Sequence, residues 1–184
     1  MTVPADLDHR FHAAAEREGL VDVAYDLSDS PVGGLLLAAT DRGLCRIAYR
    51  PEEALDELAA DFGVRVLRIP KRLDRVRREL DEYFSGKRRD FDLETDLTPV
   101  PEFHRLALRE LALVPYGQVT TYGALAAKVG RPSAARAIGG AMNRNPIPIV
   151  LPCHRVVGSS GKLVGYAGGL DRKEILLRLE GALF

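Results

Sequence analysis

The chain has 184 residues, of which 46% are hydrophobic and 28% are charged, the composition of an ordinary globular protein. A chain of this length can bury a hydrophobic core without disulfide bonds or structural metal ions. No apolar run approaches the ~20 residues that a membrane helix needs, and Met1 to Gly19 carries no apolar signal-peptide segment. The two cysteines, Cys45 and Cys153, lie far apart, which argues against a disulfide framework and for a reducing compartment. We therefore expect a cytoplasmic protein that does not contact a membrane.

The formal net charge is zero, but the charge is unevenly distributed. Residues 1–100 hold 15 Lys and Arg against 21 Asp and Glu, whereas residues 101–184 hold 11 against 5. Within residues 115–173 there are eight basic residues and a single acidic one, Asp171. This split predicts that a polyanion binds the C-terminal half, although a chance division of charge would give the same counts.

The first 97 residues are predicted to form a small α/β domain. A polar helix over Leu7–Glu18 carries His9 and His12, which we interpret as solvated histidines because no further metal ligands accompany them. Cys45 lies inside a β-rich run and is predicted to be a packed core thiol. The apolar periodicity predicts strands at Val21–Leu27, Gly33–Thr40, Gly43–Tyr49 and Val64–Ile69, helices at Pro51–Phe62 and Leu73–Phe84, and a short edge strand at Phe91–Leu93.

Residues 98–184 are predicted to form a second, mainly helical domain. The boundary is placed at the Pro-rich stretch Thr98–Pro101, where the sign of the charge also changes. Two short helices joined by a few residues that include glycine form a helix-turn-helix pattern, which is a moderate signal because many helical proteins contain it. The predicted helices are Glu102–Leu113, Tyr122–Val129 with Thr121 as its N-cap, and Ala134–Asn143 with Ser133 as its N-cap.

The second helix of this pair has almost no side-chain bulk. Ala134, Ala135 and Gly139 are among its small residues, and each interior glycine costs ~1 kcal/mol relative to alanine. So thin a face permits a close approach to another backbone, either in a protein core or on nucleic acid. Arg136 is the charged exception, and an arginine in this place could fill the space that an extruded base leaves. Long base-reading side chains are absent, so we favour sequence-independent contact in the minor groove.

A thiol, an imidazole and a guanidinium follow one another at Cys153, His154 and Arg155. Pro148 and Pro152 stand in the apolar run before them, and each fixes φ at about −65°. Rigid backbone around one cysteine suits a nucleophile that must be aimed. Adjacent side chains point in different directions on a helix, so a water is the simpler bridge between the thiol and the imidazole. Two roles stay open for Arg155, phosphate binding and structural support.

The last helix is predicted to begin at Asp171, which with Glu174 resembles a capping box. Glu180 stands in its last turn, where the helix dipole disfavours an anion. A solvated glutamate would tolerate this position, whereas a glutamate held against the His154 imidazole would have a reason to be there. The predicted buried face of the helix consists of Ile175, Leu176 and Leu179.

These motifs together resemble the O6-alkylguanine-DNA alkyltransferases, or methylated-DNA–protein-cysteine methyltransferases. The family resemblance implies a ribonuclease-H-like α/β domain followed by a mainly α domain with a winged-helix-like helix-turn-helix. The most specific match is the signature at Pro152–Val156, and the weakest is the N-terminal stretch from Ser30 to Leu44. The remaining similar segments are Pro115–Val119, Thr121–Gly123, Ala135–Met142 and Asn145-Pro146.

The resemblance implies a single transfer of an alkyl group from O6 of guanine, and also from O4 of thymine, to Cys153. A relay from Cys153 through water, His154 and Glu180 would activate the sulfur, and the residue types themselves support this relay. Tyr122 would hydrogen-bond the leaving guanine and Asn145 would hold the turn before the cysteine; a packed aromatic and a plain Asn-Pro turn are their alternatives. The implied DNA-binding residues are Ala134, Ala135, Arg136 and Gly139, and the implied base pocket consists of Met142, Val156, Tyr166 and Ala167.

No cofactor and no metal are expected. The expected partner is double-stranded DNA with an alkylated guanine, bound by a monomer that extrudes the base at a cost of a few kcal/mol. Among rival functions, a lesion-binding alkyltransferase-like protein would carry tryptophan at position 153, and the chain contains none. A helix-turn-helix transcription factor would need base-reading side chains where Ala134 and Ala135 stand. A Cys-His hydrolase would need an oxyanion loop that is not evident.

Overall fold

The computed structural model describes residues 14–15 and 17–183, and its N-terminal half is built on a four-stranded sheet of order β3-β2-β1-β4. β1 runs antiparallel to β2 and parallel to β4. A helix, α1, crosses from β3 to β4, and a 3-10 turn leads into a second helix, α2. The bounds are β1 Val23–Ser28, β2 Leu35–Thr40, β3 Gly43–Ala48, α1 Pro51–Phe62, β4 Val66–Arg68, the 3-10 turn Pro70–Leu73 and α2 Asp74–Phe84.

Both faces of this sheet are covered, which explains why β2 is apolar along nearly its whole length. Successive side chains of a strand point to opposite faces. Accordingly Leu35 and Leu37 join the main core, whereas Leu36 and Ala38 pack with Cys45 in a smaller cluster that α1 covers. Burial raises the pKa of the Cys45 thiol to about 12, so it is an unreactive core residue, as predicted.

Two of the N-terminal predictions have other outcomes. The predicted helix over Leu7–Glu18 is helical at those positions from 14 to 17 that the structure describes, and His9 and His12 lie outside the described residues. The predicted edge strand at Phe91–Leu93 is wrong. The centroids of the Phe91 and Tyr83 rings are 5.3 Å apart. This side-chain contact holds the segment in place, whereas we expected backbone hydrogen bonds to a neighbouring strand.

The C-terminal half is mainly helical, in the predicted order. A two-residue parallel ladder joins β5, directly before the second helix, to β6, directly after the cysteine turn. This ladder fixes the cysteine segment next to the helix pair. The bounds are α3 Glu102–Ala112, β5 Thr120–Thr121, α4 Tyr122–Lys128, α5 Ala135–Asn143, a 3-10 turn Cys153–Arg155, β6 Val156–Val157 and α6 Leu170–Leu179.

Of the three predicted N-caps, only Thr121 is confirmed, since its hydroxyl oxygen accepts from the Ala124 amide at 3.1 Å. Ser133 is not a cap: the Ala134 amide donates to a preceding carbonyl in a turn, and α5 starts one residue later than predicted. The predicted capping box at Asp171 is also wrong. Gly169, with φ +91°, turns the chain into α6 two residues earlier, so Asp171 is already helical.

The main hydrophobic core is continuous between the two halves of the chain. At its edge the Ile47 amide, in β3, donates to the Pro146 carbonyl at 2.9 Å, and the Tyr83 hydroxyl, in α2, donates to Glu180 at 2.7 Å. The N-terminal half therefore contacts the residues on both sides of the cysteine segment in the sequence, Pro146 and Glu180. Among the described residues, no helix is both long and apolar enough to span a membrane.

Candidate active site

Cys153 opens the 3-10 turn after a strained stretch of backbone. Ile149 has φ +76°, a conformation that β-branched residues rarely adopt, and its side chain is fully buried. Core packing of the Ile149 side chain holds this backbone in place. With β6 paired on the other side of the turn, the cysteine is fixed at both ends.

Asn145 makes three hydrogen bonds around the sulfur. Its Nδ2 donates to the Leu151 carbonyl at 2.7 Å and to Cys153 Sγ at 3.1 Å, and its Oδ1 accepts from the Ile147 amide at 3.1 Å. The predicted position of Asn145 in the turn is therefore observed, and the contact with the sulfur adds to it. Burial raises the pKa of the Cys153 thiol to about 11, although the Asn145 hydrogen bond opposes this rise. The resting thiol is protonated, so it needs a base.

His154 and Glu180 form a hydrogen bond of 2.8 Å between Nε2 and Oε1, and both side chains are fully buried. Burial lowers the pKa of His154 below its ordinary 6.5 despite the neighbouring carboxylate, so the imidazole is neutral at neutral pH. Because a carboxylate only accepts, we assign the ring proton to Nε2. Nδ1 is then an acceptor, and it is buried with no hydrogen-bond partner among the described residues. The His154 ring thus has a free lone pair that can take a proton.

Glu180 receives donors from three further residues. Tyr83 donates to Oε1, the Gly117 amide donates to Oε2 at 3.2 Å, and Arg155 binds both oxygens at 2.9 Å. Burial alone would raise the pKa of Glu180, but the hydrogen bonds from His154 and Arg155 outweigh it and hold the pKa at about 2. Gly117 has φ +75°, and a Cβ there would lie 2.9 Å from the Glu180 carbonyl oxygen, so the contact requires glycine.

The geometry decides between the two roles left open for Arg155. Its side chain is 6% exposed, forms a bidentate pair with Glu180, and donates to the Val114 carbonyl at 2.5 Å. A guanidinium this enclosed cannot reach a phosphate on a bound duplex. Arg155 is a structural partner of the carboxylate.

Sequence reasoning missed one functional residue, Lys173. Its ammonium is buried and donates to three carbonyl oxygens, those of Val156 at 2.6 Å, Val164 at 2.8 Å and Gly165 at 3.4 Å. Burial lowers the Lys173 pKa to about 8, and its positive charge lowers the pKa of the Cys153 thiol. A buried cation whose charge acts on the sulfur stabilises a thiolate as it forms.

Lys173 also explains an error in the predicted face of α6. Ile175 was expected to be buried but is 41% exposed, and Leu179 is half-buried. The buried residues are Lys173, Leu176 and Leu177. The spacing of Lys173, Leu176 and Glu180 places all three on one helical face, and this spacing was the available signal.

A cavity of about 500 Å³ lies next to the cysteine turn. Cys153 lines it together with Tyr122 at the start of α4 and residues of α5. The Tyr122 hydroxyl lies 3.4 Å from the Val164 carbonyl, a long hydrogen bond. The other expected site residues along this cavity are Ala135, Arg136, Gly139, Met142, Tyr166 and Ala167.

Of the residues expected to bind DNA or to form the base pocket, Val156 and Ala134 do not line this cavity. Val156 is fully buried and its carbonyl accepts from Lys173. Ala134 is the half-buried residue before α5. Arg136 is exposed at the first turn of α5, at the rim of the cavity. No group of three or more metal-binding side chains occurs in residues 14–15 and 17–183.

Comparisons with known proteins cover most of the chain. Residues 23–97 match the ribonuclease-like domain of 6-O-methylguanine DNA methyltransferase, and residues 102–182 match its DNA-binding domain. A methylated-DNA–protein-cysteine methyltransferase of Methanosarcina barkeri is 44% identical over 85% of this chain and 96% of its own length. The protein of that name from Mycolicibacterium paratuberculosis is 42% identical over 86% and 92%.

Solved structures agree with these matches. The O6-methylguanine methyltransferase of Mycobacterium tuberculosis superposes with a TM-score of 0.75 at 38% identity, over 87% of this chain and 93% of that one. The Mycobacterium tuberculosis protein in complex with DNA gives a TM-score of 0.76 at 36% identity, over 86% and 93%. The predicted fold class, an α/β domain before a helical DNA-binding domain, is confirmed. The chain belongs to the methylated-DNA–protein-cysteine methyltransferase family.

Proposed function

We propose that this protein repairs alkylated DNA by moving the alkyl group from O6 of guanine to Cys153 Sγ, once per molecule. The observation that carries the proposal is a cysteine that lines a cavity of about 500 Å³ and is followed in the chain by a buried, neutral histidine whose Nδ1 has no partner among the described residues. Relatives named for the same transfer support it, as does a relative solved with DNA.

The chemistry follows from the groups around the sulfur. The Cys153 proton passes to His154 Nδ1 through a bridging water, while Lys173 and Asn145 stabilise the thiolate. The sulfur then attacks the alkyl carbon, a C–S bond forms and the C–O6 bond breaks. Tyr122 hydrogen-bonds the leaving guanine and assists its protonation. The net result is one thioether on Cys153 and one guanine, with a proton moved from the sulfur to the base.

The neutral form of His154 is required for this step. Its carboxylate partner Glu180 fixes the tautomer and stabilises the imidazolium that forms, as in other relays of this type. A thioether is stable, and the described residues include no second thiol beside Cys153 that could remove the alkyl group. We therefore propose a stoichiometric reaction.

The DNA-binding surface is proposed on α5 and its surroundings. Of the eight basic residues in 115–173, Arg155 and Lys173 are buried and Arg172 is half-buried. The exposed cations are Lys128, Arg131, Arg136, Arg144 and Lys162. These side chains suit phosphate contacts, which give affinity without reading sequence.

The thin face of α5 suits the minor groove, and Arg136 at the cavity rim is placed to fill the gap left by the extruded base. Extrusion brings the O6 substituent to Cys153, which lines the cavity. We propose that a monomer suffices, because the cavity and the relay are built from residues of a single chain.

The test is intact-protein mass spectrometry after incubation with duplex DNA that contains O6-methylguanine. The wild type should gain one methyl group, mapped to the Cys153 peptide, and no more on longer incubation. Cys153→Ala should gain none yet still bind DNA, whereas Cys45→Ala should react like the wild type because Cys45 is buried and unreactive. Release of free alkyl product without a mass gain would indicate a hydrolase and overturn the proposal.

A further inference from the structure

Tyr49 belongs to the N-terminal domain but contacts the loop that borders the sulfur. It follows β3 directly, and its hydroxyl shares a hydrogen bond of 2.7 Å with the hydroxyl of Tyr166. The two rings meet edge to face with centroids 6.2 Å apart. Tyr166 lines the same cavity as Cys153, so Tyr49 is separated from the reaction by one side chain.

Two further residues close this contact. The Arg172 guanidinium lies 4.9 Å from the centre of the Tyr49 ring and donates to the carbonyls of Val32 at 2.7 Å and Gly168 at 2.8 Å. A Cβ at Gly168 would lie 2.5 Å from the Tyr49 ring and 2.7 Å from the Tyr166 ring. The loop therefore packs on Tyr49 with no spare space, and Arg172 ties it to the first domain.

A second, smaller cavity of about 160 Å³ is lined by both Tyr49 and Cys153. Cys153 and Tyr166 border both this cavity and the larger one, so the sulfur stands at their junction. Pro148 and Tyr49 line only the smaller cavity. A base in the larger cavity would direct the outer part of a bulky O6 substituent into the smaller one.

We propose that Tyr49 is a positioning residue that fixes Tyr166 in the wall of the small cavity, and so sets which O6 substituents react at Cys153. The inference rests on the alkyl transfer proposed above. With its hydroxyl bound, Tyr166 cannot turn away, which favours a methyl group held against the sulfur. A bulky substituent that enters the small cavity passes Tyr166, which borders both cavities, and is disfavoured while this side chain is held in place.

The hydrogen bond between the two hydroxyls is present throughout the working pH range. Burial raises the pKa of Tyr49 and that of Tyr166 well above the ordinary value of 10.0, so both remain protonated. A change of pH between 6 and 9 is thus not expected to imitate the loss of this contact.

The experiment compares transfer rates from O6-methylguanine and O6-benzylguanine in the same duplex, under excess DNA. Tyr49→Phe removes only the hydroxyl; we expect methyl transfer to slow about threefold to tenfold, the value of one hydrogen bond. Benzyl transfer should slow less, so the benzyl-to-methyl ratio should rise about threefold or more. Tyr25→Phe, a half-buried tyrosine on β1 that packs under α1, is the matched control and should leave the ratio unchanged.

Further variants test whether the effect passes through Tyr166. In a Tyr166→Phe background, Tyr49→Phe should have no additional effect, because the shared hydrogen bond is already gone. Gly168→Ala places a methyl group against the rings of both Tyr49 and Tyr166 and should therefore also raise the benzyl-to-methyl ratio. DNA affinity, measured in a Cys153→Ala background, should not change with Tyr49→Phe.

An unchanged ratio in Tyr49→Phe, or an effect that persists in the Tyr166→Phe background, would overturn the inference. So would an equal rise of the ratio in Tyr25→Phe, which would show a general effect of weakening the domain. A wild type that accepts neither alkyl group would instead overturn the proposed function. The two failures are therefore distinguishable.

Discussion

Replacing Glu180 by glutamine keeps the shape of the side chain but removes its charge. The guanidinium of Arg155 would lose the anion that compensates it, while its side chain stays only 6% exposed. Glutamine also offers two donor hydrogens where the carboxylate accepts from Tyr83, His154, Gly117 and Arg155. At least one buried donor would then face another donor.

Two effects indicate how much unfolding free energy Glu180→Gln should cost. A carboxyl whose pKa falls from 4.5 to about 2 on folding contributes roughly 3 kcal/mol at neutral pH. Removal of one partner from a buried ion pair costs about 3–5 kcal/mol. We therefore expect Glu180→Gln to lower the free energy of unfolding by about 3–5 kcal/mol at pH 7.

Urea unfolding measures this loss, with the m-value unchanged if the unfolded state is unaffected. The control is Glu174→Gln, on the same helix, which breaks an exposed pair with Arg178 and should cost about 0.5 kcal/mol or less. Since the folded pKa of Glu180 is depressed, its contribution is fully present above about pH 4.5 and is lost as the pH falls towards 2. A loss no larger than that of Glu174→Gln, or one that stays constant between pH 4.5 and 2, would refute the reasoning.

Two further variants test the surface and the sulfur. Arg136→Ala should slow repair of duplex DNA about tenfold, because base extrusion costs a few kcal/mol, but should hardly change reaction with the free alkylguanine base. Equal losses on both substrates would count against a role for Arg136 in extrusion. Lys173→Met should raise the Cys153 pKa, measured by the pH dependence of thiol alkylation, and slow transfer about tenfold below pH 8, where Lys173 is charged. The exposed Lys162→Met is its control, and an unchanged thiol pKa in Lys173→Met would contradict the electrostatic role.

The local elements of the fold were predictable because their determinants are local. The continuous apolar run of β2, the helical spacing in α2 and the Thr121 cap are set by neighbours in the chain. Where a prediction failed, a distant or backbone feature decided: Gly169 starts α6 early, and the Phe91 ring packs on Tyr83.

The reactive cysteine and its neighbouring histidine were also predictable, since the rigid Pro-Cys-His-Arg segment is contiguous. The burial of the Lys173 side chain was not predictable in this way. Lysine is almost never fully buried unless it is paired. The three carbonyls that compensate its charge belong to Val156 in β6 and to Val164 and Gly165 in the loop before α6, and only the tertiary packing brings them to Lys173.

The sequence by itself determined the class of each domain, the nucleophile and the family. The tertiary structure alone decided which groups surround that cysteine, because Tyr83 and Glu180 are 97 residues apart, and Tyr49 and Tyr166 are 117 apart. Local free energies select helices and strands along the chain. The pairing of distant side chains depends on how those elements pack, and the protonation states of Cys153, His154 and Glu180 exist only once that packing has removed water.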